Sequence, residues 1–245
     1  MNGASRILML ARLEVRLVGR DRFLLGVGLY IVAMSLVIRF LLPGIESGLA
    51  DSRGFDLNPY YPLLNSYFAV FLAPMLAGMI YGFTLLEARE DGTLRAVLVS
   101  PMPLTEYVRY RLLAPFALSA ILVPALALLV GASLPGPLAL LAISLVSALL
   151  GPVWALSTAT FADDKISAFA LLKALSGTGL ILIGSFFVDE PLQLIAGAYP
   201  PFWLAKAYWV AVDGGPWWGY LAVGLLLLLA ANVFLARRLA RVAHR

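Results

Sequence analysis

The stretch Trp217-Trp-Gly-Tyr-Leu-Ala-Val-Gly-Leu-Leu-Leu-Leu-Leu-Ala-Ala-Asn-Val-Phe-Leu-Ala236 contains no charged side chain. A helix rises about 1.5 Å per residue, so about 20 residues cross the roughly 30 Å apolar layer of a bilayer. This run is therefore long enough to span a membrane. The composition agrees, because 62% of the residues are hydrophobic and only 13% are charged, whereas soluble domains are about half apolar. We predict an all-α integral membrane protein.

Six apolar runs of spanning length can be counted along the chain. They are residues 23–42, 63–86, 112–132, 138–161, 166–188 and 217–236. The sequence therefore predicts six transmembrane helices in a single transmembrane domain that covers residues 1–245. The segments between the runs are too short to bury a core of their own, which predicts that no soluble domain is present.

Basic residues are distributed unevenly over the segments between these runs. An even number of spans places both termini on one side, and that side would carry Arg6, Arg12, Arg16, Arg20, Arg22, Arg89, Arg95, Arg109, Arg111, Lys165, Arg237, Arg238, Arg241 and Arg245. The other side holds Arg53 and Lys206, with Arg39 near the outer end of the first run. Loops rich in Lys and Arg stay in the cytosol. We predict a multi-pass protein of a prokaryotic cytoplasmic membrane with both termini cytosolic.

The same composition excludes several classes of function. The net charge of +4 is spread over several loops, so a nucleic-acid-binding stripe is not expected. The chain has no Cys, which excludes disulfides, thiol catalysis and thiolate metal sites. The lone His244 cannot assemble a metal cage. We therefore expect no cofactor or metal in this chain and expect the lipid bilayer as its surroundings.

A polar stretch separates the second and third runs: Glu87-Ala-Arg-Glu-Asp-Gly-Thr-Leu-Arg-Ala-Val-Leu-Val-Ser-Pro101. Gly92 lets the chain turn out of the preceding helix, and Thr93 is a good N-cap for a new one. Pro101 stops the new helix. A small apolar face lies between these two signals and consists of Leu94, Val97 and Leu98. The pattern predicts a short amphipathic helix at the cytosolic membrane surface.

This pattern, acidic-x-x-acidic-x-Gly-Thr-Leu followed by Ser-Pro, resembles the cytosolic coupling segment of type-2 ATP-binding-cassette permeases. The resemblance implies that the segment docks on a separate ATPase subunit, with Leu94, Val97 and Leu98 filling a groove on it. Glu87 and Glu90 would lie near the membrane end. The residues assigned to coupling in this way are Glu87, Glu90, Gly92, Thr93, Leu94, Val97, Leu98, Ser100 and Pro101. Residues 87–101 are called the coupling segment below.

Membership of that family would imply an exporter in which two six-span copies, identical or related, form the pathway and two ATPases drive it. ATP and Mg²⁺ would be bound by the ATPase. Some small drug-export permeases, including the fluoroquinolone-export type, have this size and build. The expected substrate class is a small amphipathic or lipid-like molecule or a drug, because an apolar pathway carries no side-chain code for one compound.

Two further segments fit this resemblance. Residues 1–22 alternate apolar and basic side chains at helical spacing, which predicts an amphipathic interfacial helix that is either a membrane anchor or the elbow helix of such permeases. Residues 189–216 contain two apolar pieces broken at Pro200-Pro201, each too short to cross the bilayer. We predict an outer re-entrant hairpin before the last helix, with an aromatic-rich surface loop as the alternative.

The chain cannot bind ATP through a P-loop, which needs Lys after Gly and before Ser or Thr. The lysines of the chain are Lys165, Lys173 and Lys206, and none follows a Gly. A nucleotide-binding subunit must therefore be a separate polypeptide. The chain is predicted to be a transport subunit and not an enzyme.

Polar residues in the fifth run allow two interpretations. Lys173 lies about two turns inside the run, where an unpaired ammonium is costly. Its long stem can carry the charge back to the inner surface, as that of Arg39 can at the outer one. Alternatively, Lys173 lines an inward-open cavity with Ser176 and Thr178, paired with Asp163 or Asp164. These three residues are our candidates for the pathway lining.

Asp163-Asp164 raises the alternative of a membrane-embedded enzyme, such as a lipid head-group transferase that binds a divalent metal. Metal-dependent phosphoryl chemistry usually needs several converging carboxylates. Two adjacent residues on a helix point about 100° apart, so a connecting turn with a helix-capping role is expected instead. A non-transporting assembly or immunity factor is the third class.

Overall fold

The structure is a computed structural model that describes residues 22–54, 56–90 and 104–243. Every regular element in these ranges is helical, which confirms the all-α prediction. The α-helices are α1 (Arg22–Arg53), α2 (Tyr61–Asn65), α3 (Ala73–Glu90), α4 (Leu104–Val130), α5 (Pro137–Ser147), α6 (Leu150–Phe161), α7 (Lys165–Gly177), α8 (Gly179–Phe186), α9 (Pro200–Val212) and α10 (Trp218–Ala243). Two 3-10 helices, Asn58–Tyr60 and Leu192–Ala198, and a π-helix, Ser66–Leu72, lie between them.

Five helical stretches within the described residues are long and apolar enough to cross a membrane. They are Asn58–Glu87, Leu112–Val130, Pro137–Phe161, Lys165–Phe186 and Trp218–Leu239. These correspond to the second to sixth apolar runs. The first run, 23–42, lies inside α1, which continues through Pro43 to Arg53 and is not among the five. Six spans therefore stay a prediction, and the amphipathic helix expected at residues 1–22 lies outside the described residues except for Arg22.

Prolines account for two irregularities in these helices. Pro74 has no N–H to donate to the Val70 carbonyl, and its ring would clash with that oxygen in an ideal α-helix. The π-helix lies directly before it and widens the backbone there. Likewise, α5 and α6 are separated by a turn at Ala148, four residues before Pro152. The stretches Asn58–Glu87 and Pro137–Phe161 therefore depart from a regular α-helix at sites that the sequence marks.

Glycines bring α3 and α6 into very close contact. A Cβ on Gly78 would lie 2.3 Å from the Trp154 Cβ and 2.7 Å from the Gly151 carbonyl oxygen. One turn later, a Cβ on Gly82 would lie 2.9 Å from the Thr158 Cβ. Small residues four positions apart let two membrane helices approach through their backbones. The Gly78-x-x-x-Gly82 spacing is the sequence signal for this contact.

The segment 189–216 forms two helices, and the second of them is central to the core. The chain breaks at Tyr199, next to Pro200, as predicted. Within α9, the side chains of Phe202, Leu204 and Tyr208 are fully buried. The segment is therefore not the aromatic-rich surface loop that was the alternative. Description of this segment as re-entrant stays a prediction.

Arg39 binds the end of α4. Its guanidinium donates to the carbonyl oxygens of Leu128 and Leu129, each at 3.1 Å. These carbonyls belong to the last turn of the helix, where a cation is favoured by the helix dipole. The helix ends at Gly131, whose φ of +74° suits glycine, and an added Cβ there would lie 2.9 Å from Arg39. Arg39 therefore joins α1 to α4.

Candidate functional site

The end of the bundle where α3 ends, α6 ends and α7 begins is called the Glu87 end. A small apolar cluster lies there, separate from the main core. Its buried members are Phe83, Leu86, Ala162, Ala168 and Leu172. They come from α3, the turn after α6, and α7, so the cluster holds these three elements together just before the coupling segment leaves α3.

Glu87, the first residue of the coupling segment, forms an ion pair with Lys165, the first residue of α7. The distance between the Glu87 Oε1 and the Lys165 Nζ is 2.7 Å. Both side chains are about half exposed, so the pair alone contributes little to stability. The ion pair instead shows that Glu87, at the start of the coupling segment, lies next to the start of α7. The sequence could not show this contact, which joins residues far apart in the chain.

The other predicted coupling residues have no described side chains. Glu90 is the last residue of α3. Gly92, Thr93, Leu94, Val97, Leu98, Ser100 and Pro101 lie outside the described residues. Their docking role stays a prediction.

Asp164 caps α7. The Ser167 backbone N–H donates to the Asp164 carboxylate at 2.7 Å, and the Ser167 hydroxyl oxygen accepts from the Asp164 N–H at 3.0 Å. The bond from the Ser167 backbone N–H to the carboxylate is the main reason that the pKa of Asp164 lies below its usual range. The capping role predicted for this turn is confirmed. Within the described ranges, no three metal-binding side chains come together.

Aromatic side chains make two further contacts at the Glu87 end, one between α3 and α7 and one between α6 and α10. The rings of Phe83 and Phe169 lie 4.8 Å apart, which ties α3 to α7. The Arg238 guanidinium lies 4.6 Å from the centre of the Phe161 ring, a cation–π contact between α10 and α6. These contacts attach α7 to α3 and α10 to α6.

The three candidate pathway residues point to different surroundings. Lys173 is exposed on α7, and its carbonyl accepts a hydrogen bond from the Ser176 hydroxyl at 2.9 Å. Thr178 lies at the break between α7 and α8, and its hydroxyl is 2.6 Å from the Tyr199 hydroxyl. The structure therefore places Thr178 against the segment before α9, with Lys173 on an open helix face. The lining role of these residues stays a prediction.

A polar network at the opposite end was not predicted. Lys206 of α9 forms an ion pair with Glu190 at 2.8 Å and donates to the Gln193 side-chain oxygen at 2.5 Å. Tyr220 of α10 also donates to Glu190, at 3.3 Å. The hydrogen bond from Lys206 is the main reason that the pKa of Glu190 lies below its usual range. The network joins α9, α10 and the segment after α8.

The comparison with known families decides the identity. Residues 14–236 match the model of the fluoroquinolones export permease protein Rv2686c-like family. The chain belongs to this family. Two members from Mycobacterium tuberculosis, the fluoroquinolones export permease proteins Rv2686c of strain H37Rv and MT2760 of strain CDC 1551, are each 32% identical to the chain over 241 residues. The match covers 96% of this chain and 94% of each relative. The chain is therefore a multi-pass membrane protein of the drug-export permease type for which this family is named.

Proposed function

We propose that this Rv2686c-like chain is the permease subunit of an ATP-binding-cassette exporter. A separate ATPase binds the coupling segment on the cytosolic side, and a second permease copy or a paralogue completes the pathway. The observation that carries the proposal is the family match over most of the chain. The coupling-segment sequence supports the ATPase partner, because the chain has no lysine in a P-loop context.

The names of the relatives support the proposed substrate class. Both are named fluoroquinolones export permease proteins, which supports a planar, amphipathic drug for this chain. The described core includes aromatic side chains, and the Phe71 ring makes edge contacts with both Trp154 and Tyr199. Aromatic side chains suit flat ring systems through offset and edge-to-face packing.

Reconstitution tests the proposal. The purified chain in proteoliposomes should hydrolyse no ATP and export no fluoroquinolone, whereas addition of its ATPase should produce ATP-dependent drug movement. Controls are the ATPase alone and an ATPase whose P-loop lysine is replaced. ATP-driven export by the chain alone, after contaminating ATPases are removed, would contradict the proposal.

The orientation can be tested by labelling, since the chain has no natural Cys. Single cysteines at Gly92 and Asp164 should be protected from an impermeant thiol reagent added to intact cells, because both loops are expected in the cytosol. Cysteines at Asp51 and Asp213 should react. Labelling of position 92 from outside would overturn the predicted topology.

A further inference from the structure

We propose that Arg237 and Arg238 of α10 bind the head group of an anionic phospholipid in the leaflet at the Glu87 end. Phe161 of α6 completes this site, which we call the arginine platform. The inference goes beyond the proposed function, because it requires neither an ATPase nor a drug. All three residues lie in the part of the chain that the structure describes.

Neither arginine has a carboxylate partner among the described residues. Both side chains are exposed, and the ion pairs between described residues do not include them. Asp164, which lies at the same end, uses its carboxylate to cap α7. Two adjacent positive charges therefore face the surroundings without a negative charge from the described protein.

The helix itself does not need positive charges at these positions. Cations near the C-terminal end of a helix are stabilised by its dipole, but this effect falls off within the last turn. Helix α10 continues to Ala243, more than one turn beyond Arg238. The helix dipole therefore does not account for the pair.

Arg238 is held in place by the aromatic ring of Phe161. Its guanidinium carbon lies 4.6 Å from the centre of the ring. The ring belongs to the end of α6 and is itself 47% exposed. This cation–π contact supplies no oxygen acceptor, so the N–H donors of Arg238 remain available for a ligand. The platform thus presents a positioned guanidinium beside a second, exposed one.

The apolar surface of α10 ends where the two arginines begin. Val233 and Phe234, in the turn before the pair, are 49% and 58% exposed. The spanning stretch Trp218–Leu239 ends directly after the pair. Exposed apolar side chains followed by basic ones are typical of the depth at which acyl chains give way to phosphates. A ligand that matches this surface has an apolar tail and an anionic head.

An anionic phospholipid matches both parts of the surface. Guanidinium groups bind phosphate oxygens through paired N–H donors, and basic residues next to a spanning helix attract anionic lipids. The acyl chains would lie along Val233 and Phe234. A soluble anion would contact only the charged part, so the charge and the apolar exposure together favour a lipid.

Lipid binding by the purified chain tests the proposal. In detergent, phosphatidylglycerol should raise the melting temperature by about 4 °C more than phosphatidylcholine does, because a ligand that binds the native state stabilises it. Phosphatidylserine should act like phosphatidylglycerol, since both carry a net negative charge. Native mass spectrometry should show phosphatidylglycerol, and not phosphatidylcholine, retained on the protein.

Removal of the two charges should remove this preference. The Arg237→Gln/Arg238→Gln variant should lose about two thirds or more of the rise specific to phosphatidylglycerol, together with the retained lipid, because the head group loses both guanidinium partners. Phe161→Leu removes the ring under Arg238 and should lose about half of the rise. Each rise is measured against the same variant in phosphatidylcholine, so a general loss of stability does not enter the comparison.

Arg237→Lys/Arg238→Lys is the matched control, because it keeps both charges and should keep most of the rise. Retention of the full rise by the glutamine double variant would contradict the proposal. So would an equal rise with glycerophosphoglycerol, the head group without acyl chains, since the site would then bind a soluble anion.

A protein partner is the remaining occupant to test. If the glutamine double variant no longer copurifies with the ATPase while its lipid-specific rise is unchanged, the arginine platform docks a protein and the proposal is wrong. These outcomes are distinct from failure of the proposed function. Wild-type protein that exports drug without an ATPase would contradict that function and leave the lipid site unaffected.

Discussion

The Leu94→Asp variant should lose its ATPase while its transmembrane helices stay assembled. Leu94 belongs to the predicted apolar face of the coupling segment, and a carboxylate there would be buried unpaired in the groove on the ATPase that we propose for this face. The expected cost to the complex reaches several kcal/mol if the groove excludes water. Copurification of the ATPase and its stimulation by the permease should fall together, with normal membrane insertion and detergent-extracted size.

Ala96→Asp is the matched control for this change. In the helix predicted for this segment, positions 94 and 96 would be about 200° apart around the axis, so position 96 should tolerate the charge. Full complex formation and export by the Leu94→Asp variant would show that residues 87–101 are an ordinary loop.

A methyl group at Gly78 should destabilise the helix pair α3 and α6. The added Cβ would lie 2.3 Å from the Trp154 Cβ and 2.7 Å from the Gly151 carbonyl oxygen, and backbone atoms cannot move aside as a flexible side chain can. Gly78→Ala should cost about 1–3 kcal/mol, as overpacking of a core typically does. Gly78→Leu should not accumulate as a monodisperse protein.

The measurement is thermal stability in detergent, followed by size-exclusion chromatography of a fluorescent fusion. Gly219→Ala in α10 is the control, because a Cβ added at Gly219 would have no other atom within 4 Å. Equal melting temperatures for the variants at positions 78 and 219 would show that α3 and α6 do not approach as closely as the structure has them.

Properties that depend on local composition could be predicted from the sequence. Five apolar runs coincide with helical stretches of spanning length. In lipid, backbone N–H and C=O groups must be hydrogen-bonded within the protein, and a helix achieves this within a single segment. The break before Pro200 and the cap at Asp164 were also predicted, since proline and aspartate act on their own neighbours.

Properties that depend on contacts between distant residues could not be predicted. The first apolar run of the sequence ends at Leu42, but helix α1 continues to Arg53. Polar residues can also form a helix outside an apolar layer. Arg39 was expected near the outer surface, and its bonds to carbonyl oxygens of α4 could not be predicted from its position in the first run. The pairing of Glu87 with Lys165 needs the folded arrangement of α3 and α7.

The same distinction applies to the candidate site: part of it could be predicted from local sequence, and part depends on contacts between distant residues. The acidic start of the coupling segment is described and lies at the end of the bundle where α7 begins. Its apolar face, Leu94, Val97 and Leu98, rests on the sequence pattern. Lys173, Ser176 and Thr178 were grouped as polar residues of one apolar run, and composition alone does not show the break at Thr178 or its bond to Tyr199.

The close approach of α3 and α6 restricts where a drug can travel. Gly78 and Gly82 place backbone against backbone, so the seam between these helices is closed even to a methyl group. A fused aromatic ring system needs more room than a methyl group. If the chain exports a drug as proposed, that molecule must pass around this helix pair, along other helices or a neighbouring subunit. The two glycines would then act as a barrier to permeation as well as a packing motif.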